Sequence, residues 1–364
     1  MDPATAASKV QVKPERLVSW ETGEQRPTLS QLLKLANVYK RNPAVFYMPE
    51  PPPEQVPVHD FRRLADAHAA AVSPELRHEI RLAAGRRGTL LEILGPDAPQ
   101  TRLPEIRLEG TDTEEAAAAI RKHLGIPLAE QKTWREPRAA FQRWREALEG
   151  IGVLVFQTTH VDVREMRGFS IVEPQLPVIL LNGGDAHAGR AFSAIHELCH
   201  LILRDGGLCL PGNHEREAGG NDHEVLCNRV AGAVLVPAPA LLTEPAVRRT
   251  AGREGWTDID LAALAREFGS SREAILRRLL ILGRTTERFY RLKRQQFQAE
   301  WEAQQERDFA VPVHTRTLNR LGRLYARTVL EGFYDGRVSA SDLARHLGMR
   351  LKHLSEFEAA VYRS

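Results

Sequence analysis

Residues 195–202 read Ile195-His196-Glu197-Leu198-Cys199-His200-Leu201-Ile202, and this stretch decides what is built around it. In a helix, side chains four apart share a face, so His196 and His200 point the same way and can reach one ion, with Glu197 beside them. Ile195, Leu198, Cys199 and Ile202 form an apolar stripe at i, i+3, i+4 and i+7 that predicts burial of the opposite face. Asp205-Gly206-Gly207 is the expected stop.

A metal site of the catalytic kind takes three protein ligands and leaves a position for water. The third ligand is expected downstream. Glu224 is the leading candidate because it opens the apolar stretch 227–236, which would pack against the motif helix; His223, His214, Asp222 and Cys227 are its rivals. The predicted chemistry is peptide-bond hydrolysis: an ion acidifies water and polarises the scissile carbonyl, and Glu197 carries the proton from water to the leaving amine. Zinc is the expected ion, with manganese as the alternative. The strand expected at residues 177–181 (PVILL), just before the motif helix, is a candidate for pairing with an extended peptide.

Working outward, 364 residues suggest two or three domains. The three cysteines, Cys199, Cys209 and Cys227, are an odd number and argue against a disulfide framework. No secretory signal is apparent, and the uncharged stretch 230–243 is too short to span a bilayer. The expectation is a cytoplasmic protein without membrane partners. A net charge of +3 excludes a nucleic-acid coat protein and requires any DNA contact to be local.

Flanking elements are punctuated clearly. Helices are expected at 14–21, after the Thr28/Gln31 capping box, from Ser73-Pro74 to Leu94, from Asp112 to Leu124 and at 134–148; a buried strand is expected at 153–156. The prolines of 48–57 read as a linker. Two helices around Gly269, the second opened by a Ser270/Glu273 capping box, form a candidate helix-turn-helix at 259–282, where Arg277 and Arg278 are candidate DNA contacts. The window 277–294 is the most basic, and the rest of the tail reads as helical.

Beyond these readings, residues 166–170 (MRGFS), 177–182, 190–200 and 224–237 together resemble the ImmA/IrrE family of metallopeptidases. Residues 20–52 are similar to the last helices of an XRE-type helix-turn-helix, and the combination resembles the subgroup that fuses both, including the tail 343–348. The resemblance implies a gluzincin-like core with a small antiparallel sheet, in a predominantly helical α+β chain. It implies His196, His200 and Glu224 as ligands and Glu197 as the catalytic glutamate. It also implies a protein substrate, an XRE-type repressor whose cleavage relieves repression. The expected division is a truncated XRE-type module at 1–50, a linker and helical connector at 51–111, the metallopeptidase domain at 112–250 and a helical domain at 251–364. Only 13 residues precede Pro14, too few for a first helix and a full second one, and Lys13 is a poor N-cap; the charge of 1–50, seven basic against five acidic, compensates little.

Overall fold

The computed structural model describes residues 3–50, 72–204, 208–209, 222–250, 254–304 and 311–363. Much of the proline linker, the Asp205-Gly206-Gly207 stop and His214 lie outside them. The chain divides into two compact units, 1–85 and 86–364.

In the first unit, α1 (Pro3–Val10), α2 (Pro14–Glu21) and α3 (Leu29–Val38) close over a small core of Ala6, Ala7, Val10, Leu17, Trp20 and Leu35. The segment before Pro14 therefore holds one complete helix, which its alanines favour. Gln11, at φ +64°, makes the turn between α1 and α2. Lys13 stands at the N-cap with no side-chain bond, as its chemistry dictates, and the Thr28/Gln31 capping box opens α3.

α4 (Pro74–Leu94) is capped by Ser73, whose Oγ accepts the Leu76 N–H at 3.0 Å. Next come α5 (Thr113–His123), capped by Asp112, then the short α6 (Leu128–Gln131) and α7 (Pro137–Gly150). α7 starts three residues later than its apolar pattern suggests, because Pro137 holds Glu136 extended. Trp134 instead packs edge-on against Trp144 at 5.8 Å.

The sheet comprises β1 (Leu154–Thr158), β2 (Gly168–Ile171), β3 (Val178–Asn182) and, after α8 (His187–Leu203), the two-residue β4 (Leu208–Cys209). Its order is β1-β3-β2-β4. The sheet is mixed, not antiparallel throughout: β2 is antiparallel to β3 and β4, whereas β1 runs parallel to β3. The chain reverses into β2 and reverses again into β3, so β3 returns in the direction of β1. β3 is consequently an interior strand with both edges occupied, which removes it as a docking edge for a peptide.

Helices then continue as α9 (Asp222–Leu235), α10 (Ala238–Thr243), α11 (Pro245–Arg249), α12 (Asp258–Glu267), α13 (Arg272–Ile281) and α14 (Glu287–Gln304). Ser271, not Ser270, caps α13, accepting the Ala274 N–H at 3.0 Å. One continuous core joins residues from Leu108 to Phe297, with Trp144, Ile195, Val230, Leu264 and Leu276 inside it.

The tail forms α15 (Val313–Leu321), α16 (Arg323–Tyr334), α17 (Ala340–Leu347) and α18 (Leu354–Tyr362). It is tied to α7 through a buried ion pair, Arg145 with Glu149 at 3.1 Å. Glu149 Oε2 accepts the N–H groups of Arg323 and Leu324 at 3.0 and 3.2 Å, while Arg145 donates to the carbonyls of Asn319 and Val155. Burial pushes the Glu149 carboxyl up and the Arg145 guanidinium down. Gly322, at φ +80°, passes so close to Glu149 that a Cβ would collide with it. Truncating one partner leaves the other buried and uncompensated. Glu149→Ala is expected to lower unfolding stability by roughly 3–5 kcal/mol, measured by chemical denaturation, with faster amide exchange in α15 and α16 than elsewhere.

Candidate metal centre

α8 carries three of the four residues singled out from the sequence. Its apolar stripe packs into the core, and it ends at Arg204, which adopts the left-handed conformation at φ +55°. His196 and Glu197 are wholly buried and His200 is 3% exposed. α9 packs against α8 and supplies Glu224 from its first turn.

The four groups converge. His196 Nε2 and His200 Nε2 are 3.0 Å apart, Glu224 Oε1 is 3.1 Å from His200 Nε2, and Glu224 Oε2 is 3.4 Å from His196 Nε2. A tetrahedral ion bound at 2.0–2.1 Å separates its ligand atoms by roughly 3.3 Å, which these spacings match. Both Nδ1 atoms are buried without a hydrogen-bond partner, as is Asn228 Oδ1 one turn beyond Glu224. Two nitrogens and a carboxylate oxygen so placed form a donor set that fits one divalent ion.

The other candidates are elsewhere. His223 turns away to bond Glu109 at 2.9 Å, and Asp222 is exposed. Cys227 is fully buried beside the equally buried Cys199, and burial pushes the Cys227 thiol up.

Glu197 is held differently from Glu224. Both of its carboxylate oxygens are buried without a hydrogen-bond partner. Burial pushes its carboxyl above the usual range, opposed by His200, His196 and the Ser170 hydroxyl. Glu224 is also disfavoured by burial, but its contacts with both imidazoles hold its carboxyl well below that range. At His200, burial is outweighed by Glu224 and Glu197, and its pKa is pushed up to about 9. Two carboxylates in one site thus have opposite bias.

Three contributors escape pattern reading. Gly168 on β2 lets the strand pass the Glu197 carboxylate, since a Cβ there would lie 3.1 Å from Glu197 Oε1. Ser170 faces the same carboxylate. Phe192 stacks on His196, with centroids 6.3 Å apart. The i−4 spacing of Phe192 from His196 was a readable signal; nothing in the sequence alone pairs β2 with Glu197.

The candidate DNA contacts fare differently. Arg278 is 2% exposed, pairs with Glu114 and donates from Nε to the Val236 carbonyl at 2.9 Å; burial lowers its pKa to about 10. It is an internal tie between α13, α5 and the end of α9, not a DNA contact. Arg277 donates to the Tyr290 hydroxyl at 3.4 Å. The pair α12 and α13 has the expected turn at Gly269, φ +56°, but buries Leu261, Leu264, Ile275 and Leu276 in the main core.

Residues 149–280 match the model of the IrrE N-terminal-like domain, a family of peptidases. This span contains the sheet, α8, α9 and α13, hence every member of the cluster. A search of curated proteins gave no match to the chain. No helix of the described residues is long and apolar enough to cross a membrane.

The geometry makes metal content directly testable. Elemental analysis of purified protein is expected to give about one divalent ion per chain, falling to near zero in His196→Ala, His200→Ala and Glu224→Ala and unchanged in Cys227→Ser. Gly168→Val is expected to retain the ion yet displace Glu197, abolishing activity measured on any substrate.

Proposed function

We propose that the chain is a metal-dependent endopeptidase that hydrolyses a peptide bond in a regulatory protein. The observation that carries this reading is Glu197, a fully buried carboxylate without hydrogen-bond partners beside two imidazoles and Glu224. A structural metal site has no use for such a group, whose burial costs stability; a hydrolytic site needs it.

The residues take distinct tasks. His196, His200 and Glu224 would hold the ion, with zinc the best fit to two nitrogens and an oxygen, and manganese the alternative. The ion would supply Lewis acidity toward a water and a carbonyl. Glu197, its proton affinity raised by burial, accepts the proton of the attacking water and delivers it to the departing amine. Gly168 keeps the carboxylate in place from the β2 side.

An XRE-type repressor is the proposed substrate, through the resemblance to the ImmA/IrrE family, and its cleavage would relieve repression. The first unit fits this assignment: α1, the three-residue turn 11–13 and α2 have the form of a helix-turn-helix. A DNA-binding regulator with a sensory metal site is the competing reading, supported by that same unit.

Glu197→Gln separates the two. The peptidase reading expects the variant to keep its metal while cleavage of candidate XRE-type repressors by the metal-loaded protein falls by about 10²–10⁴-fold, followed by mass spectrometry of the fragments. Unchanged regulation of a reporter by Glu197→Gln, with no cleavage by the metal-loaded wild type, would contradict it.

A further inference from the structure

A cavity of about 660 Å³ opens beside the cluster, within the size range of ligand pockets. It meets the cluster at two points. Phe192 lines it and stacks on His196, and Arg167 lines it one residue before Gly168, the glycine that abuts Glu197.

The walls select for negative charge. Five arginines face four acidic residues; Arg272 and Glu300 neutralise one another, Arg135 pairs with Glu267 and Glu273 with Arg294, which leaves Arg167, Arg266 and Arg277 against Glu136 and Asp185. Residues 270–274, the cap and first turn of the ten-residue α13, line the cavity and turn the positive end of that helix toward it. Ser270 is 5% exposed, yet its hydroxyl has no hydrogen-bond partner. Arg167 Nε is likewise buried and unpartnered. Asp185, 8% exposed, uses Oδ1 to accept the Ala186 N–H at 2.8 Å and leaves Oδ2 without a partner. Burial pushes the Asp185 carboxyl up against the pull of Arg167 and Arg190. Ser270 Oγ and Arg167 Nε are thus two orphaned donors on one cavity and await an acceptor.

We propose that this cavity is the subsite for a carboxylate-bearing side chain, aspartate or glutamate, of the peptide cut at the neighbouring cluster, gripped by Arg167 and Ser270 and attracted by Arg266 at the rim. The assignment rests on the peptidase reading. A basic side chain is disfavoured because it would enter among guanidinium groups with Asp185 as its one buried acceptor.

The test reads binding separately from hydrolysis. Metal-loaded full-length protein is titrated calorimetrically with N-acetyl-L-glutamate α-amide and with its neutral isostere, N-acetyl-L-glutamine α-amide. The glutamate probe is expected to bind at least about tenfold more tightly, as a charge-assisted contact requires. Arg167→Gln should erase the preference, and Arg266→Gln, a change at an exposed position, should reduce it about threefold without altering the melting temperature. Equal affinity for the two probes, including no binding of either, overturns the proposal, as does a preference that survives Arg167→Gln. Digestion of a peptide library by wild type and Glu197→Gln reports on the underlying reading. Cleavage without acidic enrichment near the cut overturns the subsite alone, whereas an intact probe preference without Glu197-dependent cleavage overturns the peptidase reading and leaves the carboxylate site standing.

Discussion

Two imidazoles and the Glu197 carboxylate are buried where α8 meets α9, with the Glu224 carboxylate partly buried beside them, and much of the second unit can be understood as the means of keeping them there. Charge removed from water is tolerated only when paired or bound to an ion. Glu224 supplies one compensation, lying within 3.1–3.4 Å of both ring nitrogens. Glu197 has no such close contact to an imidazole, only the Ser170 hydroxyl facing it, so the two carboxylates are biased in opposite directions.

Around this point the scaffold is closely packed. β2 and β3 lie against α8, and α5 and α7 pack against α9 and α8, so the helices bearing the ligands are wedged between a sheet and other helices. Arg278 ties α13 to α5, and the Arg145–Glu149 pair secures the tail to α7. The family match over 149–280 spans the ligand-bearing elements and α13, but not α5 or the tail, both of which the core and its ion pairs require. Preorganisation of this kind is what fixes reacting groups at chemical distances.

Much of the site was legible because it obeys local rules. His196, Glu197 and His200 lie within one helical turn, where spacing fixes geometry, and Glu224 opens a helix whose apolar face could be read directly. Caps at Ser73, Asp112 and Thr28 were equally local. What escaped was non-local. β2 is four residues of which two are glycine and serine, weak strand formers, and its pairing with β3 follows from tertiary packing. The parallel run of β1 and β3 depends on that same unseen strand. Arg278 looked like a surface cation because its partner, Glu114, is 164 positions earlier in the chain. The cavity beside His196 draws on five separate segments and has no linear signature.

The central claim is that one divalent ion is held by His196, His200 and Glu224, with the thiols of Cys199 and Cys227 in the core. X-ray absorption at the zinc edge of the zinc-loaded protein tests this without recourse to any substrate. The account predicts a first shell of nitrogen and oxygen alone at about 2.0–2.2 Å, with the imidazole scattering of two histidines. A sulfur shell at about 2.3 Å would place a cysteine on the ion and contradict it.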